Sequence, residues 1–421
     1  MSLVSDRRII LSTAFLRAVG VGMTGVLAGL YLASLDLDAA SAGLVIGAGL
    51  GGSAVATLIA TLSADAFGRR RFLIVMSCAG TAGLLAMLAV RELTPLVVFA
   101  TLGMLNGMGR DRGAGLVVEQ AILPATTTDE QRTRAYAWYN VLQDAGHALG
   151  SLLAGAPAWI GTLLAGGALA AGANATAGRL PTDERTLLAG GIAFAALLGL
   201  CGVALYLRLS PAVEAARPRE RVTVTPGTRR ILWRISSLFV LDSLGGGFLT
   251  ASLVAWFFHE RFGVDAGSLG LLFFGARVLN ALSHFGAAWL ARRIGLVNTM
   301  VFTHIPSSLL LATVAVAPSF PVAAVLFLLR EGLVEMDVPT RQSYVIAVVR
   351  PEERTIASGV TQLVRLGAWA VGPAIAGWAM QKFSLGAPLT VAAVMKISYD
   401  LLLWMAFRKL KPPEESATPR A

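Results

Sequence analysis

The sequence predicts an all-α membrane protein: twelve transmembrane helices in two pseudo-symmetric six-helix bundles. Three observations lead there, namely composition, the spacing of apolar runs, and an internal repeat. Hydrophobic residues make up 55% of the 421 and charged residues only 14%, against about a quarter in soluble domains. A soluble fold cannot hide that much apolar surface, whereas a bilayer absorbs it in helices of about 20 residues. Cys78 and Cys201 both lie in apolar stretches, so neither a disulfide framework nor a thiolate metal site is expected.

Apolar runs bounded by charged or turn residues fall at 9–34, 40–63, 72–91, 95–122, 134–166 and 185–208, and again at 231–258, 267–291, 297–318, 321–348, 355–380 and 386–408. We number them spans 1–12. The first begins after Arg7–Arg8 and has full spanning length, so it is read as a span and not a cleavable leader. Glycines such as Gly47, Gly49, Gly51 and Gly52 in span 2, and Gly245, Gly246 and Gly247 in span 7, suit close helix packing in lipid.

Of the arginines and lysines outside the spans, 21 fall on one side and 5 on the other if alternate loops share a side. The richer side includes Arg7–Arg8, Arg69–Arg71, Arg208–Arg230, Arg292–Arg293 and the C-terminal tail. The positive-inside bias therefore puts both termini in the cytoplasm, as in a multi-pass inner (plasma) membrane protein. It also accounts for the net charge of +10 without nucleic acid, since those bases face anionic headgroups. The expected organisation is 1–208 as one bundle, 209–230 as a cytoplasmic linker and 231–421 as the second bundle.

A shift of 222 residues superposes Asp129–Gly155 on Pro351–Gly377 with 8 identities in 27 positions. Glu130, Arg132 and Thr133 meet Glu352, Arg354 and Thr355, and Arg7–Arg8 meets Arg229–Arg230. Two parallel six-helix repeats joined by a polar linker are a transporter architecture.

Between spans 2 and 3 the chain reads Asp65-Ala66-Phe67-Gly68-Arg69-Arg70-Arg71. This resembles the loop signature of the major facilitator superfamily, Gly-x-x-x-Asp-Arg/Lys-x-Gly-Arg-Arg/Lys, with Thr61 and Ala66 departing from it. Arg292-Arg293-Ile294-Gly295 is similar to its second-half relic. Gly372-Pro373-Ala374-Ile375-Ala376-Gly377, and more distantly Gly150-Ser151-Leu152-Leu153-Ala154-Gly155, resemble the antiporter motif. The resemblance implies a fold of two bundles around a cavity lined by spans 1, 4, 7 and 10. It also implies a conformational latch at Asp65, Gly68, Arg69 and Arg70, in which Asp65 faces the N-terminus of span 11; a helix N-terminus favours a negative charge by about 0.3–1 kcal/mol.

Ionisable residues inside spans are costly and mark function. They include Arg17, Arg110, Asp111, Arg112, Glu119, Asp144, His147, Asp242, Arg277, His284, Arg330, Glu331, Glu335, Asp337, Arg341 and Arg365. In span 10, Arg330, Asp337 and Arg341 share one helical face, with Asp337 and Arg341 as i, i+4 partners; Pro339 is placed to kink the helix there. At the 222 shift Glu119 meets Arg341, and at 225 Arg17 meets Asp242. These four are expected to form ion pairs that close the cytoplasmic side, within halves, between them, or both. Substrate and coupling candidates are Arg110, Asp144, His147, Arg330, Glu331, Glu335 and Asp337, with Asp242 a further proton-coupling candidate. His147, one turn from Asp144, is a hydrogen-bond partner for it. Trp138, Tyr139, Trp256, Trp289, Trp369 and Trp378 read as interface anchors or packing residues.

The functional expectation is a secondary active transporter of a small organic solute by alternating access, with proton-coupled efflux by antiport. The alternatives are a proton-coupled uptake symporter for an organic anion, favoured by Arg17, Arg110, Arg112 and Arg330, and a transport-inactive scaffold or receptor. The expected partners are a small-molecule substrate, protons and the lipid bilayer, with no nucleic acid, and a monomer. No cofactor and no metal are expected. An enzyme is not expected: there is no glycine-rich phosphate loop, and His259-Glu260 reads as a loop end, not an acyltransferase pair.

Overall fold

The computed structural model describes residues 3–128, 131–170, 184–214, 225–337, 341, 349 and 353–407. The described residues are helical, joined by short turns. Spans 1–3 are α1 (Leu3–Ala33), α2 (Ala39–Phe67) and α3 (Arg69–Ala89). Span 4 is divided into α4 (Leu93–Leu102) and α5 (Ala114–Ile122), and span 5 into α6 (Arg132–Leu153) and α7 (Ala156–Ala170). Span 6 is α8 (Glu184–Tyr206). Span 7 comprises α9 (Pro226–Gly247) and α10 (Ala251–Phe262), followed by α11 (Ala266–Ile294) for span 8 and α12 (Leu296–Ala315) for span 9. Span 10 begins with α13 (Phe320–Val334); α14 (Arg354–Lys382) and α15 (Ala387–Phe407) are spans 11 and 12.

Nine of the twelve expected spans appear as helices long and apolar enough to cross a bilayer among the described residues. Spans 4 and 5 do not, because an apolar run does not guarantee an unbroken helix, and much of span 10 lies outside the described residues. Span 4 unwinds over 103–113, where Met104 (φ 54°) and Gly109 (φ 67°) are left-handed. Span 5 is interrupted at Ala154–Gly155, and α13 stops at Val334. The expected Pro339 kink and the Glu130 and Glu352 repeat positions lie outside the described residues.

Turn chemistry follows local rules. Gly68 (φ 101°) reverses the chain between spans 2 and 3, and Gly295 (φ 84°) does so between spans 8 and 9; both conformations penalise any Cβ. The relic motif of the second half thus keeps its turn. Asp38 caps α2 by accepting from the Ser41 N–H at 2.7 Å.

The chain divides into two compact units. Unit 1 is Met1–Pro218, Thr250–Phe274 and Pro373–Lys382; unit 2 is Arg219–Leu249, Gly275–Gly372 and Phe383–Ala421. Unit 1 packs Ile10, Phe72, Leu73, Tyr139 and Tyr206 into one apolar core, and unit 2 packs Phe239, Met300, Tyr399 and Phe407 into another. Unit 1 also contains a seam where span 1, span 2 and the span 4 break meet the residues after the span 7 break and the end of span 11. Ser252 donates its backbone N–H to the Gly107 carbonyl at 3.1 Å and its hydroxyl to the Gly25 carbonyl at 2.8 Å. A methyl group on Gly29 would overlap the Ser252 carbonyl, and one on Gly43 the Pro373 carbonyl. Of the glycines expected to permit close packing, Gly49 and Gly52 do so against the 101–105 backbone, and Gly247 against Gly372 within unit 2. The two cysteines are free and exposed, Cys78 on α3 and Cys201 on α8.

Candidate functional site

Each unit holds a buried charge cluster. In unit 1 the cluster is centred on Arg17 of α1. Its Nε donates to Asp111 Oδ2 at 2.5 Å and one Nη to Glu119 Oε2 at 2.5 Å. Arg17 also donates to the Tyr206 hydroxyl at 2.9 Å and the Tyr139 hydroxyl at 3.3 Å. Glu119, 0% exposed, further accepts from Thr13 (2.7 Å), Tyr139 (2.7 Å) and Tyr206 (2.5 Å). A carboxylate can be buried in this way only because every lone-pair direction is met. The break in span 4 builds the other side: Asp111 accepts from the Gly113 N–H at 3.1 Å, and its own N–H donates to His147 Nε2 at 2.9 Å. Nε2 is therefore the unprotonated nitrogen of that ring.

In unit 2 the centre is a carboxylate, Asp242 of α9. It accepts from Lys396 Nζ at 2.9 Å and Arg341 at 3.3 Å, with Arg365 at 3.9 Å. Arg341 also pairs with Asp337 at 2.6 Å, the i, i+4 contact expected from spacing. Phe239 has both Arg341 (5.5 Å) and Arg365 (5.9 Å) over its ring, and Arg365 lies 4.7 Å from Trp369. One turn further along α15, Asp400 faces His304 Nδ1 at 3.0 Å.

The four charges singled out by the repeat thus pair within halves, Arg17 with Glu119 and Asp242 with Arg341. Arg330 pairs with its neighbour Glu331, which also accepts from Asn280 at 2.8 Å. Glu335 caps α13 and is half-buried; Arg110 and Arg112 lie half-buried in the span 4 break, while Asp144 is exposed. The Nε2 atom of His147 serves Asp111, an arrangement the Asp144–His147 spacing does not suggest. In the motif loop, Asp65 (41% exposed) pairs with Arg69 at 2.7 Å. The amides of Arg69 and Arg70 at the start of α3 donate to Glu214 at 2.6 and 3.3 Å, and the Arg70 guanidinium reaches the Leu207 carbonyl at 2.5 Å. A carboxylate at a helix N-terminus is favourable, and here Glu214 supplies it.

Sequence reasoning missed Tyr139, Tyr206, Thr13, Glu214, His304, Lys396 and Asp400. Lys396 and Asp400 carried a usable signal, since they are i, i+4 charges inside an apolar span. Tyr139 reads as a packing aromatic but is fully buried with its hydroxyl on Glu119. No group of three or more metal-ligating side chains occurs among the described residues.

The sequence profile of the Major Facilitator Superfamily matches residues 10–365 and 238–421. A yeast relative from Saccharomyces cerevisiae, "Uncharacterized membrane protein YJR124C", is 26% identical over 436 positions, covering 96% of this chain and 94% of its own. Among solved structures, the nucleoside transporter NupG superposes with a TM-score of 0.72 at 14% identity, covering 97% of this chain and 99% of its own. A D-xylose-proton symporter superposes at 0.71 with 12% identity over 100% of both chains. A bacterial homologue of the human lysosomal transporter Spinster gives 0.69 at 16% identity, with 99% and 98% covered. These likenesses establish the fold, and the profile spans nearly the whole sequence. The chain belongs to the Major Facilitator Superfamily and is a multi-pass membrane transporter of small solutes, not an enzyme.

Proposed function

We propose that this transporter exports a small organic solute by alternating access, in exchange for protons. The observation that carries this reading is the pair of ion clusters around Arg17 and Asp242, built at equivalent places in the repeat with opposite central charge. Burying such pairs is tolerable only while both signs are present. A proton arriving at a carboxylate cancels one sign, so it releases an arginine and lets the helices carrying it move. Arg17, Glu119, Asp242 and Arg341 are the gate charges in this scheme. Glu331, Glu335, Asp144 and Asp242 are the proton carriers, and Arg110, His147, Arg330 and Asp337 contact solute or tune them. The Asp65-to-Arg70 turn, with Gly68 as its pivot, is the latch, and the Gly29–Ser252 and Gly43–Pro373 seam is the extracytoplasmic gate. The protein acts as a monomer in the plasma membrane with both termini inside.

Uptake of an organic anion is the weaker reading. Arg17 already faces two carboxylates and Arg330 faces Glu331, so neither guanidinium offers an uncompensated charge.

The test is a proteoliposome assay with an imposed pH gradient and a pH-sensitive dye. Addition of a transported solute is expected to dissipate the gradient in the wild type, and Glu335→Gln to uncouple solute flux from it. Solute flux indifferent to the gradient would refute the proton-exchange reading. A reporter fusion placing the Arg69–Arg71 turn outside the cell would refute the orientation.

A further inference from the structure

Unit 1 contains a partly open cavity of about 170 Å³ among spans 1, 2, 3, 4 and 6. A cavity of about 150 Å³ holds a benzene molecule, so this one suits a single ring or a short branched chain. Its walls are mostly apolar, from leucines and a methionine of spans 1, 3 and 6, and one end is polar, with Arg17, Ser53, Asn106, Asp111 and Tyr206.

Two features decide what that end would accept. The first is acidity: two carboxylates, Asp111 and Glu119, meet at Arg17. The second is spare bonding capacity. Each Glu119 oxygen already accepts two hydrogen bonds, whereas Asp111 Oδ1 accepts only the Gly113 N–H. Ser53 is 7% exposed, and its hydroxyl makes no hydrogen bond with the described residues. A point one carbon out from Gly113 lies 3.1 Å from Ser53 Oγ and 3.7 Å from Asp111 Oδ1, so both oxygens flank one spot. A carboxylate oxygen with spare capacity and a hydroxyl, both buried beside an apolar ring-sized space, fit an ammonium group on a small apolar body.

We propose that this cavity is a binding site for a small aromatic or branched amine, held as its cation by Asp111 and Ser53. The site lies inside one unit and does not depend on the proton-exchange reading.

Benzylamine, benzyl alcohol and benzoate share a ring and differ in head charge. Thermal unfolding of the purified full-length protein in detergent at pH 7.5 would be followed with each, at matched ionic strength set by sodium chloride. Benzylamine is expected to raise the melting temperature saturably by about 2 °C or more, as ligand linkage requires; benzyl alcohol should do less, and benzoate and sodium nothing.

Gly202 lines the cavity and has open space where a side chain would go, so Gly202→Leu should abolish the benzylamine shift without lowering the unliganded melting temperature. Gly80→Leu, from the α3 wall, should do the same. Gly190→Leu, exposed on α8 with equal room, should keep the shift. Equal shifts from amine and alcohol, a shift with sodium alone, no shift at all, or a shift surviving in both filled variants would overturn the proposal. A lost amine shift with intact proton–solute exchange would separate this failure from that of the transport reading.

Discussion

Asp242 meets three cations while only 3% exposed, so its removal strands buried positive charge. Asp242→Asn is expected to cost about 3–5 kcal/mol, the range for breaking a buried pair from one side. Adding Lys396→Met should recover part of that loss, because one stranded cation goes with it. Thermal melts of the single and double variants would measure the recovery; further destabilisation by the second change would contradict the pairing. In unit 1, Tyr206→Phe deletes a hydroxyl that donates to Glu119 and accepts from Arg17. Hydrogen bonds to charged groups are worth about 1.5–3 kcal/mol each, so the melting temperature should fall by several degrees with the fold retained. Charges at this scale were legible, since a charge inside an apolar run stands out at once. Tyrosine hydroxyls were not: Tyr139 and Tyr206 look like packing aromatics until the fold brings them to Glu119.

Helix ends and breaks set which of these residues meet. Asp38 lies outside the spans, and its carboxylate is held below its ordinary range first by the Ser41 N–H, with the Ser41 side chain and Gln381 assisting. A depressed folded value means that this cap contributes fully above about pH 4 and is lost as pH falls through the folded value. Asp38→Asn keeps a capping side chain but should flatten the acid limb of stability against pH, as read from melting temperatures between pH 3 and 6. Close backbone approach makes a second expectation. Gly29→Val cannot fit against the Ser252 carbonyl, so the chain should insert normally while transport falls roughly tenfold, the effect of about 1.4 kcal/mol. A thiol placed at Ser252 would then become reactive from outside the cell. Spans 1–3 and 6–9 were readable as elements because their runs are long, apolar and ended by Gly, Asp or Arg. The break in span 4 was not readable. Its Gly107, Gly109 and Gly113 are indistinguishable by type from glycines that pack intact helices, and only backbone angles separate the two uses.

The division of the whole chain follows packing and not the order of residues. Unit 1 combines the N-terminal stretch with all of α10 and pieces of α11 and α14, so two of its three parts come from beyond residue 249. The repeat makes two equal halves visible in the sequence; which ends of the later helices pack with the earlier ones is a property of the conformation adopted.

The whole chain contains two cysteines, and both belong to unit 1, free and exposed on neighbouring helices. The protein therefore carries its own pair of labelling handles. Spin labels on Cys78 and Cys201 should report one unchanging separation through the cycle if α3 and α8 travel together. A third thiol introduced into unit 2 would turn the same native pair into a ruler for motion, with no need to strip the background first.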